Sequence, residues 1–206
     1  MDNEIALFGS AARAFAGLVH EIPESAWDGP GLGAWDLRSL VGHTSQALST
    51  VGRYRHRPAE REDVASAADY YALVHQSMAS NAAIAARIEE FGRNAGHELG
   101  EAPAAAVDGL VETALSDLMG VEDSLIRVTG GLGIRLRSYV PTRTFELAVH
   151  SLDIARAAGV PFTLPADVLA EVTVLLAAIA VATGQAQEVL LSLTGRTPLP
   201  PSFSVL

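Results

Sequence analysis

Residues 141–159, PTRTFELAVHSLDIARAAG, decide the reading of this chain. Proline suits the first turn of a helix, where its missing N–H would have no partner anyway, so a helix is predicted from near Pro141. Gly159 offers a left-handed C-cap, and Pro161 soon after keeps the helix from resuming. Between them, Phe145, Leu147, Val149, Leu152 and Ile154 occupy much of the helix circumference. Arg143, Glu146, His150 and Asp153 fall instead on one stripe about 80° wide at 3.6 residues per turn. A helix that is apolar on several sides is largely buried, so this ionisable stripe faces either solvent or an internal cavity. The stretch alone leaves both open.

The same helical spacing recurs in both directions from this segment. Between Asn3 and Ile22 the apolar residues Ile5, Phe8, Ala12, Phe15, Val19 and Ile22 repeat at three and four, and Pro23 ends the pattern. Residues 23–35 are dense in Gly and Pro and read as a loop. Asp36 can then cap a second helix with Leu37, Leu40, Val41, Leu48 and Val51 inward, closed by Pro58. A third helix is expected from about Asp63 to Phe91, with Gly92, Gly96 and Gly100 breaking it. A fourth is expected from Pro103 to about Val128, with Leu110, Leu115 and Leu125 among its inward residues. Further helices follow at about Pro165 to Thr183 and Gln185 to Leu193, and the proline-rich tail is expected to lie extended over the bundle. IRLRSYV, residues 134–140, is the one short strand candidate. The fold class is therefore all-α.

With 206 residues, 49% of them apolar, the chain can bury a substantial core, and one compact domain spanning 1–206 is expected. It has no cysteine, which removes disulfides, thiolate ligands and a cysteine nucleophile. Any metal must take imidazole and carboxylate ligands. The N-terminus is acidic where a signal peptide is basic, and the longest apolar run is too short for a membrane span, so a cytoplasmic protein without membrane attachment is expected. A net charge of -10, with all 14 basic residues arginine and dispersed, argues against nucleic acid as a partner. The oligomeric state stays open, a homodimer included.

Four of the six histidines have a carboxylate four residues away, a spacing that chance accounts for in part. Proline or glycine interrupts three of those pairs: His20 with Glu24, His56 with Glu60, and His97 with Glu101. Glu146 and His150 alone lie within one continuous helix, where residues four apart stand one above the other and can close on a single ion. His43 sits mid-helix at the border of the second helix's apolar stripe, beside Leu40 and Ala47. Alone it reads as a half-buried, hydrogen-bonded histidine. Together with Glu146 and His150 it completes a two-histidine, one-carboxylate ligand set with open coordination positions, suited to a divalent ion such as zinc.

The segment WDLRSLVGHTSQ from Trp35, followed about a hundred residues later by RTFELAVHSLDIARAAGVP, resembles the N-terminal metal-binding domain of the mycothiol-dependent maleylpyruvate isomerase family, within the DinB-like superfamily of four-helix bundles. The resemblance covers most of the chain. It implies a metal-binding bundle core at about 1–160 with a helical C-terminal extension at about 161–206. It further implies that His43, Glu146 and His150 are zinc ligands and that Trp35, Asp153 and Gly159 are framing positions. Isomerases of the family carry a further C-terminal domain, which this chain is expected not to contain.

On that basis a metal-dependent isomerase or S-transferase using mycothiol, or another low-molecular-weight thiol, and a small-molecule substrate is expected. A non-catalytic metal- or ligand-binding bundle and a metal-assisted hydrolase are the alternatives. Asp153, Arg143 and Trp35 are candidates for supporting the ligands or binding substrate or thiol. Arg135 and Arg137 are weaker candidates for holding carboxylates, against a plain surface role. Tyr54, Tyr70 and Tyr71 could donate a proton near a site, with packing the more usual use. The glycine clusters GPGLG and TGGLG follow no clear strand and read as connections.

Overall fold

The computed structural model describes residues 1–205, the side chains at 78–80, 82 and 85 excepted. Its helices are α1 (Asp2–His20), α2 (Leu37–Arg55), α3 (Ala67–Ser80), α4 (Ala82–Glu98), α5 (Pro103–Leu118), α6 (Leu136–Ala158), α7 (Ala166–Ala182) and α8 (Ala186–Leu193). Two three-residue strands, β1 (Leu125–Arg127) and β2 (Gly133–Arg135), form an antiparallel hairpin in which the buried Ile126 pairs with the buried Ile134. The fold is all-α and DinB-like.

Four helices close the bundle: α1 packs on α5 and α6, and α2 packs on the same two. The predicted inward residues of α2, Leu37, Leu40, Val41, Leu48 and Val51, are all fully buried, as are Phe8, Ala12 and Phe15 of α1. Asp36 caps α2 by accepting a 2.7 Å hydrogen bond from the Ser39 amide. Outside the ring, α4 lies along α2, while α3 packs against α4, α6 and α7. Phe203 and Val205 of the tail pack on the core, and Leu206 lies outside the described residues. Among the described residues no helix is long and apolar enough to cross a membrane.

The helix placed at 63–91 is two helices, α3 and α4, divided at Asn81, whose extended backbone and side chain cap α4 by accepting from the Ala83 amide at 3.0 Å. Gly92 and Gly96 do not break α4. They lie inside it because α2 and α4 cross at backbone contact: a Cβ at Gly42 would collide with the Gly96 amide, and one at Gly96 would lie 2.8 Å from the Arg38 carbonyl oxygen. The helix placed at 103–128 stops at Leu118, where Gly120 turns the chain at φ 63°, and Leu125 belongs to β1.

Helix α6 starts not at Pro141, as expected, but five residues before it, at Leu136. A proline past the first turn costs about 3 kcal/mol in lost hydrogen bonding and crowding. Burying Leu136, Tyr139 and Val140 in that same turn offsets this, at roughly 1.5–3 kcal/mol per large apolar side chain. The strand candidate at 134–140 is thus only its first two residues, Ile134 and Arg135, before the helix takes over.

Candidate metal centre

The bundle brings α2 and α6 face to face, and with them the three residues that the sequence singled out. His43, Glu146 and His150 each offer a ligand atom, and these atoms lie within 4.8 Å of one another. Glu146 Oε2 is 3.3 Å from His150 Nε2 and 3.9 Å from His43 Nε2. Two ligands on a tetrahedral zinc, with bonds of about 2.0–2.1 Å, stand about 3.3 Å apart, so the three atoms are close to ligating separation. The imidazoles of His43 and His150 meet edge to face, with centroids 5.1 Å apart. All three side chains are only partly exposed.

Each ligand is held from behind. His150 Nδ1–H donates to Asp153 Oδ2 at 3.3 Å, one turn on, which leaves Nε2 directed at Glu146. Glu146 Oε1 accepts a 2.7 Å hydrogen bond from the Tyr71 hydroxyl on α3, leaving Oε2 for the histidines. His43 is packed rather than hydrogen-bonded. Trp35 stacks on it at 4.5 Å between centroids, tilted by 31°, and is itself anchored by a 2.9 Å bond from Nε1 to the Glu89 carbonyl. Gly92 of α4 makes room for that indole, since a Cβ there would lie 2.8 Å from Trp35 Cε2.

Among the described residues His43 Nδ1 is buried with no hydrogen-bond partner, and Nε2 is too far from Glu146 for a hydrogen bond. An unsatisfied buried polar group costs about 1–3 kcal/mol. An imidazole with no hydrogen bond, facing a carboxylate and a second imidazole, fits the donor set of a divalent cation.

The local charges point the same way. Burial, with the charge of His150 second, pushes the His43 imidazole down to about 4 against the pull of Glu146, so it is neutral at pH 7. Burial also opposes charge on His150, but the hydrogen bonds to Asp153 and Glu146 outweigh it and hold the ring up at about 9. For Glu146, burial favours the neutral acid. The His150 hydrogen bond, the Arg143 charge and the Tyr71 hydroxyl overcome it and hold the carboxyl below its usual range. Burial and the neighbouring carboxylate push the Tyr71 hydroxyl well up, which keeps it a donor.

Arg143 lies one turn before Glu146, its guanidinium 4.9 Å from the Tyr139 ring centroid and 6.0 Å from that of Tyr70, and its Nε donates to Thr142 Oγ1 at 3.0 Å. The stripe of Arg143, Glu146, His150 and Asp153 therefore faces the protein interior. Arg135 and Arg137 are not drawn in: they pair with Glu62 at 3.7 Å and Asp123 at 3.3 Å on exposed surface. His20 pairs with Asp108 rather than Glu24, and His56 accepts from Arg55. Tyr54 bonds Thr129 and Tyr70 stacks on Tyr71, as packing residues do. Of the three tyrosines named as possible proton donors near a site, Tyr71 is the one whose hydroxyl bonds Glu146, and α3 brings it there only through the tertiary packing.

No curated protein and no solved structure matches the chain. A family model does: that of the mycothiol maleylpyruvate isomerase N-terminal domain matches residues 8–155, which run from within α1 through nearly all of α6 and contain His43, Tyr71, Glu146, His150 and Asp153. With well over half of its length matched, the chain belongs to the mycothiol maleylpyruvate isomerase N-terminal domain family.

Proposed function

We propose that the protein is a cytoplasmic zinc enzyme that uses mycothiol, or a related low-molecular-weight thiol, in an isomerase or S-transferase reaction on a small molecule. The observation that carries this reading is the convergence of His43, Glu146 and His150 in a chain that has no thiol of its own. His43, Glu146 and His150 would hold the ion. A divalent ion there lowers the pKa of a coordinated thiol, as it does that of water, and so supplies a thiolate at neutral pH.

The chain's own residues prepare the site for that use. Three protein ligands on an ion that takes four to six leave positions for an outside sulfur. Asp153 fixes the His150 ring with Nε2 toward the ligand cluster, and Tyr71 fixes the Glu146 carboxylate. Trp35 covers one face of His43. Arg143 contributes a positive charge on the same stripe, favouring anionic groups beside the ligands.

The testing experiment is the visible spectrum of cobalt-substituted protein titrated with mycothiol. Entry of sulfur into the coordination sphere gives a new charge-transfer band and supports the reading. A spectrum indifferent to thiol, with turnover that needs none, rejects it in favour of metal-assisted hydrolysis. Full coordination by protein atoms, with no exchangeable position, rejects it in favour of a structural ion.

A further inference from the structure

Arg143 is a cation at the centre without an anion of its own. Its guanidinium lies over the Tyr139 ring and beside that of Tyr70, and Nε donates to Thr142 Oγ1 at 3.0 Å. Both amino groups are left over, and among the described residues no carboxylate pairs with them. A cation drawn largely out of water is ordinarily paired. Glu146, one turn on, is committed elsewhere: Oε1 accepts from Tyr71 and Oε2 faces the two histidines.

Tyr70 of α3 stands beside this cation with a polar atom to spare. Its ring packs on Tyr71 and Tyr139, with centroids 5.8 and 6.2 Å away, and the residue is only 8% exposed. Its hydroxyl has no hydrogen-bond partner among the described residues, unlike that of Tyr71. Burial pushes that hydroxyl above its ordinary range against the pull of Arg143, so it stays a donor at neutral pH. Neither this hydroxyl nor the Arg143 amino groups are sealed in as His43 Nδ1 is, so they reach accessible space.

We infer that Arg143 and Tyr70 form an anion subsite beside the metal centre, and that it takes a carboxylate of the small molecule held there. The inference rests on the function proposed above and names the class of molecule the site selects. A guanidinium fork matches the two oxygens of a carboxylate, and one cation balances its single charge. A phosphate, with nearly two charges, would leave one uncompensated close to Glu146. Tyr139 precedes Arg143 by one turn, so the guanidinium leans toward the start of α6, away from His150. At 1.5 Å rise per residue, the subsite lies roughly 5–10 Å along the helix from the ligand atoms. A carboxylate several bonds from the metal-bound atom spans that distance, and one that chelates the ion does not.

Cobalt-substituted protein titrated with γ-mercaptobutyrate and with its neutral analogue mercaptobutanol tests the inference. Both present the same sulfur, and wild type is expected to bind the carboxylate about 10- to 100-fold more tightly, as for a hydrogen bond to a charged group. The preference should vanish in Arg143→Gln. Tyr70→Phe, which keeps the ring and removes the hydroxyl, should weaken mercaptobutyrate about tenfold and leave mercaptobutanol unchanged. Equal affinity for the two thiols in wild type, or a preference that survives in both variants, overturns the inference. So does a stronger preference for the shorter mercaptoacetate, which would place the carboxylate on the ion. A spectrum that neither thiol moves rejects the thiol reading alone, and glutarate, which has no sulfur, then decides the subsite. Calorimetry on zinc-loaded protein should show glutarate binding wild type about tenfold more tightly than Arg143→Gln or Tyr70→Phe, and equal binding overturns the inference.

Discussion

His150 Nδ1 lies 3.3 Å from Asp153 Oδ2 on the next turn of α6, and the same ring presents Nε2 to Glu146 Oε2 at 3.3 Å on the other side. One imidazole is thus held between two carboxylates on a single helix, one acting as its support and the other as its fellow ligand. A carboxylate behind a ligating histidine fixes the tautomer and raises the basicity of the nitrogen at the metal. Asp153→Asn should leave the fold intact and weaken metal affinity by about 10- to 100-fold. Wild-type affinity in a chelator competition would remove Asp153 from the site.

Tyr71 supports the other half of the pair. Tyr71→Phe keeps the ring in the core and removes the 2.7 Å hydrogen bond to Glu146. A hydrogen bond to a charged group contributes about 1.5–3 kcal/mol, so metal affinity should fall roughly 10- to 100-fold. Unchanged affinity in this variant, measured by the same competition, would show that Glu146 is oriented without Tyr71.

Metal binding should release protons in a defined number. In the metal-free protein at pH 7 His43 is neutral and Glu146 ionised, while His150, held up at about 9, carries a proton that a metal must displace. Calorimetric titration with zinc in buffers of different ionisation enthalpy should therefore give about one proton released per ion. Affinity should rise with pH up to about 9 and level off above it. Release of no proton at pH 7 would contradict the state assigned to His150.

The crossing of α2 and α4 sets the position of His43, and it depends on glycine. Gly96→Ala places a methyl group 2.8 Å from the Arg38 carbonyl oxygen, with no flexible side chain to yield. Overpacking of this kind costs about 1–3 kcal/mol. The expected outcome is a Tm lower by several degrees and a looser metal site, because α2 must move away from α4. A Tm equal to wild type would show that the two helices separate without cost.

Much of this was legible in the sequence because it depends on local rules. Period and caps placed α1, α2, α7 and α8, and a single uninterrupted Glu-x-x-x-His pair pointed to α6. The misplaced elements are those where one residue type serves two purposes. Gly92 and Gly96 read as helix breakers but serve close packing, Pro141 reads as a helix start but is carried inside α6, and Asn81 divides what looks like one alanine-rich helix. Tyr71 and the Trp35 stack on His43 depend on α3 and α4 folding back across the bundle, and no spacing along the chain encodes that.

If His43, Glu146 and His150 together hold one divalent ion, each of the three is needed to keep it. Metal analysis of purified wild type and of His43→Ala, Glu146→Ala and His150→Ala, each verified as folded by circular dichroism, tests it most directly. About one zinc per wild-type chain and loss of the ion in all three variants are expected. Folded variants that retain the wild-type metal content, or a wild type that binds no divalent ion when offered one, would contradict it.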